Sequence, residues 1–97
     1  MQWDILDSIE AHIKYGSSLA EKLGKSSQND SLLKTISDHS SAKEKLLQKT
    51  EIWKEHLRQI DRNLLKADEL RDEKMYEDLK SELSSYLENV SRLEEFL

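Results

Sequence analysis

The segment Leu32 to Ala67 limits this chain more than any other feature. Apolar residues recur there in alternating steps of four and three: Leu32, Ile36, His39, Lys43, Leu46, Thr50, Trp53, Leu57, Ile60, Leu64 and Ala67. Eight of those eleven positions are apolar, and no Pro or Gly falls between them. Spacing that averages 3.5 residues lines up on one stripe of a helix. The other faces carry Lys, Glu, Gln, Asp and Ser, as a hydrated helix surface does. Such a helix is roughly 50 Å long at 1.5 Å per residue. That length suits a bundle or coiled coil better than a compact globular domain.

Composition narrows the alternatives. Ninety-seven residues allow a single helical domain. Apolar and charged residues each make up 36% of the chain, which supports a narrow seam between helices but not a thick core. Two Gly and no Pro disfavour a turn-rich β fold. A net charge of −5 supplies no global attraction for nucleic acid or an anionic membrane. With no Cys, disulfides, thiolate metal sites and Cys nucleophiles are excluded. That composition fits a cytoplasmic protein, with the nucleus as a second option. No run of 18 apolar residues offers a membrane-inserting span, and the N-terminus has no basic and apolar leader pattern.

The expected fold is all-α: an antiparallel helical hairpin or elongated three-helix bundle of coiled-coil type, with helices near 2–23, 31–71 and 74–97. In the first helix, Leu6, Ile9, Ile13, Gly16, Ala20 and Leu23 keep the seam spacing, and Trp3 covers its end. Gly16 lies on the apolar face, where it costs about 1 kcal/mol relative to Ala and marks a close helix–helix approach. Gly24 is expected as a left-handed C-cap. The 24–30 segment is a polar loop, with Asn29 or Asp30 as cap of the next helix. A short loop of this kind joins antiparallel neighbours. Beyond Ala67 the register changes, since Leu64 and Leu79 are fifteen residues apart, one more than two heptads. Either the helix runs on through a stutter between Leu64 and Met75, or it breaks near Arg71–Lys74 with Asp72 as a new cap. The long middle helix is expected to overhang its neighbours and leave apolar seam bare at one end.

The charged and aromatic residues point to contact rather than chemistry. His12, His39 and His56 lack the three- or four-residue spacing of a helical metal site and read as surface or seam-edge residues. The run Asp68, Glu69, Asp72, Glu73, Glu77, Asp78 has neither the Gly nor the alternation of a calcium loop. Lys43, Lys45, Lys49, Lys54 and Arg58 alternate with Glu44, Glu51 and Glu55 and form a mixed helix surface. No catalytic residue, metal site or cofactor is expected, so the chain reads as a non-enzyme. The seam residues Leu46, Trp53, Leu57, Ile60, Leu64, Tyr86, Val90, Leu93 and Phe96 are the expected self-association or partner surface, with core as the default for the large aromatics Trp53, Tyr86 and Phe96 and partner anchoring as their alternative. Large buried aromatics concentrate interface energy. Residues 31–60 carry net +2 and residues 61–97 net −5, so the middle helix attracts the last.

Parts of the chain resemble a spectrin-type repeat. Ala11-His12-Ile13 and Gly16-Ser-Ser-Leu19, the polar loop, Leu33-Lys-Thr-Ile36 and Leu47-Gln-Lys-Thr-Glu-Ile-Trp53-Lys-Glu-His-Leu57 are similar to the second and third helices of such a repeat. Residues 86–97 look like the first helix of a following one. The family's third-helix Trp belongs nearer Lys43, ten residues before Trp53, and a first helix with its own Trp is missing. The resemblance implies a rod segment of a cytoskeletal or organelle-tethering protein, acting as a non-enzymatic scaffold through a helical protein partner or homo-oligomer. The alternative is a small helical chaperone or adaptor, for example of a bacterial secretion system, that shields a partner's amphipathic helix. The apolar end, Phe96-Leu97, is expected in a piece of a longer helical protein or in a tail that docks.

Overall fold

A computed structural model describes residues 4–25, 29–66 and 68–97. Trp3 as a cover for the seam, residues 26–28 of the expected loop and Ala67 lie outside the described residues. Among the described residues the chain forms three α-helices and no strand: α1 (Asp4–Gly24), α2 (Asp30–Asp61) and α3 (Glu69–Glu94). It is the elongated three-helix bundle.

Helix ends follow from identifiable residues. Asp4 and Asp7 sit in the first turn of α1 and Lys22 in the last, matching the helix dipole at both ends. Asn29 caps α2: its side-chain oxygen accepts from Ser31 N–H at 2.9 Å and Leu32 N–H at 3.4 Å. At the other end Asn63 takes a left-handed φ of 59°. Its N–H donates to the Ile60 carbonyl and that of Leu64 to the Gln59 carbonyl, the paired bonds of a Schellman stop. Asp68 caps α3 by accepting from Arg71 N–H at 3.2 Å. Asp72 reaches back to accept from Asp68 N–H at 3.0 Å, so the first turn is closed by one carboxylate on Arg71 N–H and another on Asp68 N–H.

Several boundaries differ from those the sequence predicts. The second helix ends at Asp61, not 71, and α3 begins at Glu69, not 74. The cap of α3 is Asp68 rather than Asp72. Leu64 falls in the connection and is 72% exposed, outside the seam it was assigned to. The physical reason is Asn63: after Gly, Asn tolerates the left-handed conformation best, so a chain without Gly or Pro still turns there. Gly24 is the last residue of α1, and none of the described glycines has positive φ.

The three helices run alternately up, down and up. α2 contacts α3 most extensively, and α1 lies in the groove they share. Ile9, Leu19 and Ala20 of α1, Leu32, Leu46, Trp53 and Leu57 of α2, and Leu79, Tyr86, Val90 and Leu93 of α3 form one continuous core. Burial along α2 extends from Leu32 to Leu57, so the seam is covered almost throughout and the expected bare overhang is absent. The molecule is a rod of 52 × 18 × 17 Å. Its radius of gyration, 15.9 Å, exceeds the roughly 13 Å of a compact 100-residue domain.

Candidate functional site

The residues expected to face a partner mostly face each other. Leu46, Trp53, Leu57, Tyr86, Val90 and Leu93 are buried in the chain's own core. Ile60 and Phe96 are half-buried, and Leu64 is exposed in the α2–α3 connection. What the fold concentrates instead are two polar clusters along the α2–α3 interface, each centred on a histidine.

The first cluster ties all three helices in one layer. His39 of α2 is 4% exposed and its Nε2 lies 2.9 Å from Tyr86 Oη of α3. The Tyr86 hydroxyl is also 3.4 Å from the His12 and Ile13 carbonyl oxygens of α1. Carbonyls only accept, so Tyr86 donates to them while His39 Nε2–H donates to Tyr86 Oη; that tautomer satisfies the whole chain. Gly16 makes the layer sterically possible. A Cβ there would collide with the Tyr86 hydroxyl and would come within 3.0 Å of His39 Nε2 and Val90 Cγ2. The close approach expected at Gly16 is therefore present. Burial, with a smaller contribution from Lys43, lowers the His39 pKa below its ordinary 6.5. Burial pushes the Tyr86 phenol up to about 12. Both groups are neutral at pH 7.

The second cluster clamps the far end of the α2–α3 pair. His56 Nε2 lies 2.6 Å from Asp72 Oδ1, with His56 7% and Asp72 15% exposed. Arg71 Nε and Nη2 both donate to the same Asp72 oxygen at 3.3 Å, and Arg71 Nη2 also donates to the Lys66 carbonyl in the connection. Burial alone would raise the Asp72 carboxyl. The bonds from His56, Asp68 N–H and Arg71 outweigh it and hold the group below the ordinary carboxylate value. Trp53 stacks on His56 with ring centroids 5.7 Å apart and meets Tyr76 at the same separation.

Neither histidine reads as the surface or seam-edge residue expected. His56 and Asp72 are sixteen residues apart on different helices, so no local spacing announces them. The layout of His39 and Tyr86 had a signal: both fall on seam positions, and polar seam groups need partners when buried.

The surface is a mixture. Glu51 pairs with Lys54 at 3.3 Å and Glu55 with Arg58 at 3.5 Å. Leu47 and Ile52 nevertheless stand 43% and 57% exposed on the outer side of α2. They border a shallow open trough of about 560 Å³ with Glu44, Gln48 and Glu51. A second trough of about 460 Å³ continues along Glu55, His56, Gln59 and Met75. Among the described residues no three His, Cys, Asp or Glu side chains converge on a common metal position. None of the described helices is long and apolar enough to cross a membrane. No family model, curated protein or solved structure matches the chain.

Proposed function

We propose that this protein is a non-enzymatic protein–protein interaction module, a rigid helical rod that presents the outer face of α2 to another protein. The observation that carries this reading is the pair of exposed apolar residues Leu47 and Ile52 beside an open trough, on a helix whose inner face is already filled. What sets these two apart from other exposed apolar residues such as Leu64 and Leu70 is that both line one trough, and grouped apolar side chains, unlike scattered ones, mark an interaction surface. Absence of catalytic function is supported by how the titratable groups are used. His39 and His56 are turned inward onto Tyr86 and Asp72, and the troughs on the outer side of α2 are open rather than enclosed polar sites.

Within that class the finer reading is a spectrin-like rod segment of a cytoskeletal or organelle-tethering protein. It is supported by the 52 Å length and the up-down-up order of the helices. The adaptor or chaperone alternative is favoured by the trough itself, which with its continuation follows α2 from Glu44 to Gln59. For either reading we propose a cytoplasmic or nuclear setting, on the cysteine-free composition.

The test places a photoreactive amino acid at Ile52, and in a control at the exposed Ser84 of α3, in the cell that makes the protein. A discrete protein adduct from position 52, absent from position 84 and lost on Leu47→Lys, is the expected result. Equal or no adducts from both positions would overturn the assignment of this face.

A further inference from the structure

We propose that mild acid releases α1 from an α2–α3 pair that stays together, through protonation of His39 beneath it. The two buried histidines have different surroundings. His56 faces the Asp72 carboxylate at 2.6 Å, flanked by Arg71. A proton gained there meets a negative partner, so the clamp persists in its charged form. His39 has no carboxylate bonded to it. From α3 it faces the Tyr86 hydroxyl; from α1, the Gly16 backbone, with the His12 and Ile13 carbonyls on the same hydroxyl; on α2, the Lys43 ammonium repels it. Nε2 already carries the hydrogen donated to Tyr86, so a further proton goes to Nδ1 and gives the ring a charge with no anionic partner, which water stabilises best.

Where water enters follows from the packing. Gly16 has no side chain, so the backbone of α1 is itself the lid over His39 and Tyr86. Lifting α1 hydrates both groups at once. Separating α2 from α3 would do so as well, but at the far greater loss of their more extensive contact, the Trp53–Tyr76 aromatic pair and the His56–Asp72 bond. The polar tie holding α1 to α3 at the surface, Tyr15 Oη donating to Glu94 at 2.9 Å, is exposed and weak. Acid therefore acts on the lightest interface of the bundle. It uncovers the Tyr86 and Val90 end of a seam that is closed at neutral pH.

Hydrogen exchange of the full chain at pH 7.5 and pH 5.0, corrected for intrinsic exchange rates, tests this. Amides of residues 9–20 are expected to lose protection about tenfold at pH 5.0. Those of residues 50–60 and 72–82 keep theirs. His39→Gln, which retains a donor toward Tyr86 but cannot charge, abolishes the response. In the wild type, the loss of α1 protection follows the NMR titration of the His39 ring, a comparison that holds even if the variant fails to fold. Uniform loss of protection over all three helices, unchanged protection of α1, or a midpoint tracking another histidine would overturn the proposal.

Discussion

Gly16 is the residue with the least chemistry and the tightest surroundings. In an ordinary helix interior, Ala in place of Gly gains about 1 kcal/mol. Here the added methyl meets the Tyr86 hydroxyl, His39 and Val90, and overpacking of this kind costs typically 1–3 kcal/mol. Gly16→Ala should therefore destabilise the protein by up to about 2 kcal/mol in urea unfolding, the opposite sign from Gly24→Ala, whose Cβ finds only ordinary contact with Ile36. The neighbouring His39 sets a pH dependence. Its folded pKa lies below the ordinary 6.5, so below that pH the unfolded chain takes up the proton first. Stability should be level above about pH 7 and decline as pH falls from 6.5 through the folded value. In urea unfolding followed between pH 7.5 and 5, His39→Gln should flatten that decline. Asp72 adds a second, more acidic loss, because its depressed carboxyl contributes stability above 3.8 that disappears as pH falls below it. At this scale the seam positions of Gly16, His39 and Tyr86 were legible from spacing. Their mutual contact was not, because spacing within one helix says nothing about which side chain of another helix meets it.

The element most misjudged from sequence is the end of α2. Heptad spacing continues past Asp61 to Leu64, and neither Gly nor Pro warns of a stop. The stop is written in Asn63, with a positive φ of 59°, and in the Asp68–Asp72 pair that restarts the helix. Apolar periodicity reports which face is buried, whereas termination depends on single residues with unusual backbone tolerance. Asn63→Ala should cost about 1 kcal/mol, because a Cβ-bearing residue without a local side-chain acceptor disfavours the left-handed region, while Asn63→Gly should match or exceed wild type. Thermal unfolding of the two variants side by side separates these outcomes. Asp72→Asn should weaken the junction further, since one carboxylate serves His56, Arg71 and the Asp68 N–H together. Loss of such charge-assisted bonds costs roughly 1.5–3 kcal/mol. A lowered urea midpoint with unchanged slope would identify it as a stability effect on an intact fold.

At the level of the whole molecule, the fold class was readable because amphipathic spacing, length and composition agreed. The expected bare overhang was not borne out. Once α2 stops at Asp61, α3 turns back along it and covers the seam that a longer helix would have left open. A monomer in solution should scatter with a radius of gyration near the 15.9 Å of its Cα positions. A value near the roughly 13 Å of a compact domain of this size would contradict the rod. The odd number of helices has a mechanical consequence. With α1 and α3 running the same way and α2 returning between them, Asp4 lies toward one end of the rod and Leu97 at the other. Tension applied to the two ends therefore acts along the long axis. It loads the layers of α1 on α2 and α2 on α3 in shear, many at a time, instead of peeling them apart singly. The Gly16 notch, with the Tyr86 hydroxyl seated in it, is then a detent against sliding: α1 cannot advance by one residue without driving a side chain into that oxygen.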